Sequence, residues 1–277
     1  MILSTFIIII IVIIIVCCYY YYYTDDNEIN LLKNNVKCFV INLASNNDRY
    51  VRFNKYYNDS DLYKNNIICN RFDAINGRTL TDDQLAYYVQ EVALQNLYFA
   101  EKNSYRRKHY ELTKGAVGCY LSHLTLYEQL LNDDSSDYYL IFEDDCIFNK
   151  NIAHNISTIL NNAPNNWDMI IFGAIRSKSN KVQNTLLKYN TFWGLCCYVI
   201  NKRGARKIFE EYLDNKITMQ IDSVMSVMSL NNRLNIYGPV NKLAMHGKMS
   251  TDIQTPVLHF TNINPDDFLP IDKHIKT

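Results

Sequence analysis

The chain has 277 residues, with 28 lysines and arginines against 28 aspartates and glutamates, so its formal net charge is zero. This balance argues against a dedicated nucleic-acid-binding protein, which would carry a large basic excess. Hydrophobic residues make up 48% of the chain, which excludes an intrinsically disordered protein. The length suits one large α/β domain better than two small ones.

Residues 1–23 carry no charged side chain and end in five consecutive tyrosines. As a helix, the apolar run of about 17 residues before the tyrosines would span roughly 26 Å, and the tyrosines would lie at the membrane interface. We therefore predict a transmembrane anchor over 1–23 and a polar stem over 24–35, with a cleaved signal peptide as the alternative. The protein would be a single-pass membrane protein with its main domain lumenal or extracytoplasmic, but Lys33 and Lys37 leave the orientation open.

Strand and helix patterns alternate through residues 36–277. Continuous apolar runs predict strands at 36–43, 67–72, 138–142, 169–173 and 194–200. Periodic apolar residues predict helices at 81–100, 117–131, 151–162 and 203–213. Such uninterrupted strands are typical of a sheet covered on both faces, so the sequence predicts an α/β sandwich with a mostly parallel central sheet.

The chain contains eight cysteines. Most lie inside apolar runs, and neither a CxxC pair nor a Cys/His cluster with zinc spacing is present, so we predict buried free thiols rather than a disulfide framework.

The strand at 138–142 ends abruptly in Glu143, Asp144 and Asp145. Ligands of open α/β sheets bind at the carboxyl ends of the strands, which places these carboxylates at the expected binding edge. Alternation along the chain puts Glu143 and Asp145 on one side and Asp144 on the other. Such a group could hold a hard divalent cation such as Mn²⁺ or Mg²⁺. A solvated acidic exit from the strand is the equally open alternative.

Several blocks together resemble glycosyltransferase family 25, the lipooligosaccharide and collagen galactosyltransferases. In chain order the blocks are 40–43 with Asp48-Arg49, 71–77, 112–123, 140–145, 193–205, Asp222, Gly238-Pro239 and 250–253. The Gly-x-x-Gly-Cys-x-x-Ser-His stretch within 112–123 and the Glu-Asp-Asp stretch are the most specific of them.

The resemblance implies a Rossmann-like fold of the GT-A type, a UDP-sugar donor, and an Asp-x-Asp-like motif that holds the metal. Carried over to this sequence, Asp145 would be the metal ligand. Glu143 would touch the metal shell or the donor ribose, and Asp144 would orient the pair or contact the sugar.

The resemblance also places other residues around the donor. Asn42 and Arg49 would lie near the nucleotide. Gly115 and Gly118 would let backbone approach closely at the start of a helix whose N-terminus favours phosphate charge, and Lys114 would add a cation there.

Asp222 is our candidate for the catalytic base, because the family carries an acid at this position. A capping or salt-bridged aspartate is the competing interpretation. His246 and Asp252 are weaker candidates for closing the metal site from the C-terminal side. For Ser122 and His123, structural hydrogen-bonding roles compete with chemical ones.

The resemblance thus implies a metal-dependent hexosyltransferase that moves galactose or glucose, with inversion, to a glycan or protein hydroxyl. Asn76 and Ala116 stand where the family usually has acids, which keeps a catalytically silent, membrane-anchored carbohydrate-binding protein as the alternative. A phosphoryl-transfer enzyme is disfavoured because no GxxxxGK[ST] motif is present.

Overall fold

The structure is a computed structural model that describes residues 10–16, 32 and 36–247. The predicted anchor, apart from 10–16, and almost all of the predicted stem lie outside the described residues, as does Asp252. Within the described residues, no helix is long and apolar enough to cross a membrane. The anchor over 1–23 and the membrane location therefore stay predictions.

The described strands are β1 (Val36–Asn42), β2 (Cys69–Asp73), β3 (Tyr138–Glu143), β4 (Cys146–Phe148), β5 (Met169–Ile171), β6 (Ile175–Lys181), β7 (Leu186–Trp193), β8 (Cys197–Asn201), β9 (Ile236–Pro239) and β10 (Ala244–His246). Eight of them form one sheet in the order β2-β1-β3-β8-β5-β9-β7-β6, and β10 pairs with β4. β8 runs antiparallel to both of its neighbours, and so does β7. The other six strands of this sheet point the same way, so the predicted mostly parallel α/β sheet is confirmed in its strand directions.

The described helices are α1 (Asn47–Asp59), α2 (Asp61–Lys64), α3 (Asp82–Tyr88), α4 (Glu91–Asn103), α5 (Lys114–Leu131), α6 (Ile152–Asn162), α7 (Lys202–Asn215) and α8 (Ile221–Leu230), with a 3₁₀ turn at Gly77–Thr79. One hydrophobic core joins α3, α4, α5, α7 and α8 to the sheet, and a second joins α1, α2 and α6 to the opposite face. Alternate residues of β3 enter different cores, Ile141 the first and Leu140 the second. The sandwich is therefore covered on both faces, as continuous apolar strands require.

Three segments differ from the sequence-based prediction. The strand expected at 194–200 runs against its neighbours, because hydropathy does not encode strand direction. The helix expected over 81–100 is two helices, since Val89 forms a bridge to Ile217 between them. No strand is predicted between 173 and 194, where the structure has the β6–β7 hairpin, because the polar outer residues of this hairpin hide its strand pattern.

All six cysteines within the described residues are free, and four of them are buried. This confirms buried thiols over a disulfide framework for that part of the chain.

Candidate active site

A cavity of about 370 Å³ lies at the carboxyl ends of β1, β2 and β3. Its walls come from the residues that follow these three strands and from the first turns of α5. They include Asn42, Asn46, Arg49, Ala74 to Arg78, Gly115, Cys119, Ser122, His123 and Glu143 to Asp145. The acidic strand end thus lies in a concave site at the sheet edge where ligands of such folds bind.

Asp144 forms the polar contact between β3 and β1. Its carboxylate accepts a hydrogen bond from Asn42 Nδ2 at 2.6 Å and pairs with Arg49 Nη2 at 2.5 Å. Arg71 donates to Asn42 Oδ1 at 2.5 Å and so fixes the orientation of that amide. Burial raises the pKa of Asp144 to about 6, against the opposing effects of Arg49 and Asn42. Asn42 and Arg49 therefore hold this carboxylate at the cavity wall.

Glu143 and Asp145 face His246 instead. His246 Nδ1 lies 3.5 Å from an oxygen of Asp145 and 3.9 Å from one of Glu143. Burial acts to lower the pKa of His246, but the facing carboxylates outweigh it and raise the pKa to about 11. Burial likewise acts to raise the pKa of Glu143, but the nearby His123, His246 and Arg49 hold that pKa below its ordinary value. Glu143 and Asp145 thus share His246 as a neighbour, whereas Asp144 contacts Asn42 and Arg49, and all three carboxylates line the same cavity.

These three side chains form a cluster with metal-ligand geometry. One ligand atom each from Glu143, Asp145 and His246 lies within 4.8 Å of the others. Asp145 Oδ1 is buried and finds no hydrogen-bond partner within the described part of the chain. Buried carboxylate oxygens are normally hydrogen-bonded, so this atom lacks an expected partner. Two carboxylates and an imidazole are ligands that suit Mn²⁺.

His123 lies on α5, behind Glu143. It is fully buried; its Nδ1 bonds to the Tyr198 hydroxyl at 2.6 Å, and its Nε2 lies 3.5 Å from Glu143. Ser122 is also buried, where it donates to the Gly118 carbonyl and accepts from the Ile75 amide. Ser122 therefore has a structural hydrogen-bonding role, whereas His123 combines a structural bond with a nitrogen facing the site.

Asp222 lies at the start of α8. Its carboxylate accepts a hydrogen bond from the Gly194 amide at 3.1 Å. Gly194 has φ +79°, and a Cβ there would overlap the His246 imidazole. Burial raises the pKa of Asp222, and the charge of Glu143 raises it further. Asp222 thus lies near the metal-type cluster but outside the lining of the cavity.

The predicted phosphate-binding group at the start of α5 is only partly assembled. Gly115 lines the cavity, but Lys114 pairs with Glu101 at 3.5 Å. A Cβ on Gly118 would overlap the backbone of Ile75 and Gly77. The close approach at Gly118 is therefore to the protein's own chain.

The positions that depart from the family pattern have local explanations. Asn76 caps the 3₁₀ turn by accepting a hydrogen bond from the Arg78 amide. An asparagine in place of the usual acid therefore still makes the turn contact. Ala116 lies in the first turn of α5, is 2% exposed and packs into the core.

Sequence reasoning gave no role to Arg71, Cys119 or Tyr198. Arg71 and Tyr198 come from distant segments and carry no local signal. Cys119 and His123, however, are four residues apart on one helix, a spacing that places two ligands on one face.

Residues 35–225 match the profile of a protein family described as "Glycosyltransferase family 25 (LPS biosynthesis protein)". Procollagen galactosyltransferase 1-A of Xenopus laevis is 29% identical over 61% of this chain and 27% of its own length. Inactive glycosyltransferase 25 family member 3 of Mus musculus is 26% identical over 69% of this chain and 31% of its own length. The chain thus spans about a third or less of these two relatives.

A solved structure, that of a glycosyltransferase involved in the glycosylation of the major capsid of PBCV-1, is also similar. It aligns with 78% of this chain and 94% of its own length, at a TM-score of 0.41 and 8% identity. The profile match covers the strands and helices that build the cavity, from β1 through the first half of α8. This chain belongs to glycosyltransferase family 25.

Proposed function

We propose that the protein is a metal-dependent hexosyltransferase with a GT-A type fold, which transfers galactose or glucose from a UDP-sugar to a hydroxyl of a glycan or protein, with inversion. The observation that carries this proposal is the cavity at the carboxyl ends of β1 to β3, with Glu143 and Asp145 beside His246. The family membership supports glycosyl transfer, and the name of the Xenopus relative supports galactose as the first donor to test.

The residues present fit a divalent cation such as Mn²⁺ or Mg²⁺. Glu143, Asp145 and His246 would hold it, and the buried Asp145 Oδ1 would gain the partner it lacks. When bound, such a cation supplies positive charge that stabilises a departing diphosphate. The chain adds to this charge with Arg49, which lies 3.7 Å from Asp145.

The β1 and α5 side of the cavity is where we expect the nucleotide. Asn42 is buried and bonds to Asn46, Asp144 and Arg71, so it positions Asp144 at this side of the cavity. Gly115 presents backbone at the N-terminal turn of α5, where helix amides favour phosphate charge. We therefore assign the space between β1 and α5 to the donor.

The acceptor hydroxyl needs a base, and we assign that role to Asp222. The Gly194 amide orients its carboxylate, and its raised pKa favours proton acceptance. Trp193, next to Gly194, stacks on His109 with ring centroids 4.0 Å apart. This aromatic pair and Asp222 provide an acceptor side, across His246 from the donor side.

Calorimetric titration of UDP-galactose and UDP-glucose, with and without Mn²⁺, tests the donor and the metal together. We expect binding that requires the metal, followed by slow release of the free sugar. Asp145→Asn should lose the metal-dependent donor binding. Asp134→Asn should retain it, because Asp134 is exposed. Equal binding without Mn²⁺ would overturn the metal assignment.

A second experiment tests the base and the stereochemistry. Asp222→Asn should bind donor normally but lose transfer by about 100-fold or more. Unimpaired transfer at saturating donor would exclude Asp222 as the base. The anomeric configuration of the product, read by nuclear magnetic resonance, shows whether transfer inverts.

The alternative of a catalytically silent protein is favoured by one specific observation, the mouse relative named as inactive. A silent protein would bind carbohydrate without consuming any UDP-sugar, whatever the metal. The intact Glu143, Asp145 and Asp222 favour the enzyme over this alternative.

A further inference from the structure

A second group of potential ligands lies beside the first, on the α5 side of Glu143. Cys119, His123 and Glu143 each offer one ligand atom, and the three atoms lie within 4.8 Å of one another. All three residues line the cavity. The group differs chemically from the first because a sulfur replaces a carboxylate.

His123 points an unsatisfied nitrogen into this group. Its side chain is fully buried, and Nε2 finds no hydrogen-bond partner among the described residues. The 3.5 Å from Nε2 to Glu143 Oε1 is close to the roughly 3.4 Å expected between a nitrogen and an oxygen on one tetrahedral Zn²⁺. A cation between these atoms would satisfy the nitrogen.

The other nitrogen of His123 is fixed in the manner of a metal-ligating histidine. Nδ1 lies 2.6 Å from the Tyr198 hydroxyl, which lies 2.7 Å from the Tyr127 hydroxyl. Nδ1–H can donate a hydrogen bond to the Tyr198 oxygen, and the Tyr198 hydroxyl can donate to Tyr127, which leaves the lone pair of His123 Nε2 for a ligand. Partners of this kind orient metal-bound histidines.

Glu143 has one carboxylate oxygen facing each of the two ligand groups. Oε1 faces His123, and Oε2 faces His246 at 3.9 Å. The carboxylate can therefore serve either group or bridge both. Thiolate and imidazole select Zn²⁺-like cations, whereas the Asp145 side offers harder oxygen ligands.

We propose that Cys119, His123 and Glu143 form a second cation site, which takes a thiophilic divalent cation such as Zn²⁺ with its fourth position open to the cavity. The cation replaces the Cys119 thiol proton, which passes to solvent. Binding at this site inhibits the enzyme, because the cation occupies the cavity that we assign to the donor and shares Glu143 with the Asp145 group. The inhibition rests on the proposed function, but the binding does not.

Titration of the full chain with Co²⁺ tests the binding directly. A thiolate on tetrahedral Co²⁺ gives a charge-transfer band in the near ultraviolet, which we expect for the wild type and for Asp145→Asn. Cys119→Ala should lose the band, whereas Cys69→Ala, which removes another partly buried thiol, should keep it. Absence of the band in the wild type, or its loss in Cys69→Ala, would overturn the site.

Two further measurements separate this proposal from the proposed function. Tyr198→Phe should keep the band but weaken Co²⁺ binding by about tenfold or more, because His123 loses its orienting partner. Unchanged affinity would exclude this positioning role. The second measurement is inhibition by Zn²⁺ with donor present, with each protein's activity normalised to its own value without Zn²⁺. The Zn²⁺ concentration that halves activity should be at least about tenfold higher for Cys119→Ala than for the wild type.

In the wild type, Mn²⁺-dependent donor binding and the Co²⁺ band are measured separately, so each proposal can fail without the other. A missing Co²⁺ band with intact Mn²⁺ dependence would overturn the second site alone.

Discussion

Two carboxylate clusters in this molecule, one fully buried and one partly buried, differ in how completely their oxygens are hydrogen-bonded. Asp168 precedes β5 and is fully buried, and it pairs with Arg203 and Lys207, each at 2.6 Å. It also accepts from the Asn235 amide at 2.8 Å. Asp145 lies at the opposite ends of the strands, just after β3. Its Oδ1 is buried and has no hydrogen-bond partner in the part of the chain that the structure describes.

The difference separates structure from function. A buried charge that is fully paired joins neighbouring elements, and removing it leaves its partners exposed to a large desolvation cost. A buried charge that lacks partners costs stability in the resting protein and is available to a ligand. The Asp168 cluster therefore stabilises the fold, whereas Asp145 has a buried oxygen available to the cation that we propose.

The largest expected effect is on activity. Asp145→Asn should reduce sugar transfer by at least about 100-fold, because it removes the central ligand of the proposed metal site. The free energy of unfolding should fall by only about 1–2 kcal/mol, because the variant loses the charge pairing of Asp145 with His246 at 3.5 Å and with Arg49 at 3.7 Å. Transfer assays and urea unfolding measure the two quantities. A severe loss of stability in this variant would erase the contrast with Asp168.

The second effect is on stability. Asp168→Asn should lower the free energy of unfolding by about 3 kcal/mol, because Arg203, Lys207 and the Asn235 amide lose their common acceptor. Urea unfolding measures this loss, with the exposed Asp134→Asn as control. Donor affinity of the folded protein should remain normal. A change below about 1 kcal/mol would contradict the structural role.

A third prediction disturbs the unsatisfied cluster without removing a carboxylate. Gly194→Ala should weaken Mn²⁺ binding by about tenfold, because the new methyl displaces the His246 ring. Asn232→Ala is the matched control, since Asn232 also has a positive φ, 56°, but lies on an exposed turn. It should share the backbone cost of about 1 kcal/mol and bind Mn²⁺ normally. Equal Mn²⁺ affinity in both variants would exclude the overlap as the cause.

The smallest effect concerns another well-paired carboxylate, Asp133. It pairs with Lys37 at 2.6 Å and accepts from Tyr139 at 2.8 Å. Burial acts to raise the pKa of Asp133, but Lys37, Ser135 and Tyr139 hold it well below its ordinary value.

A lowered folded-state pKa stabilises the protein above the unfolded pKa, about 3.9, and the contribution is lost as the pH falls through the folded value. Asp133→Asn should therefore cost about 1 kcal/mol at neutral pH and progressively less below about pH 4. Urea unfolding across this range checks the trend. A difference that does not vary with pH would show that Asp133 acts through packing instead.

Much of the site was predictable because it follows strand ends. Asn42 and Glu143 are the last residues of β1 and β3, and Asp144 and Asp145 follow β3 directly. Hydropathy locates these strand ends, and the family resemblance pointed to Asn42 and to Arg49 in the first turn of α1. The N-terminal turn of α5 was predictable only as a helix start. The contacts of this turn depend on which segments pack against the helix. Lys114 pairs with Glu101, and Gly118 packs against the backbone of Ile75 and Gly77.

Other features left weaker signals. The four-residue spacing of Cys119 and His123 is visible in the sequence, but the glutamate that completes the group comes from another element. Likewise, the β6–β7 hairpin was missed because its polar outer residues mask the alternation that predicts strands.

The sequence by itself determined β1, β2, β3, β5 and β8, the helices from α3 to α7, the two-faced burial of the sheet and the family, because these depend on local periodicity and on motifs in a fixed order. Only the tertiary structure decided that β7 and β8 each run antiparallel to their neighbours in the sheet. It also decided that His246 lies beside Asp145 and that the Tyr198 hydroxyl bonds to His123. The physical reason is distance along the chain. These contacts join segments tens of residues or more apart, and side-chain identity carries no record of such a partner until packing brings the two together.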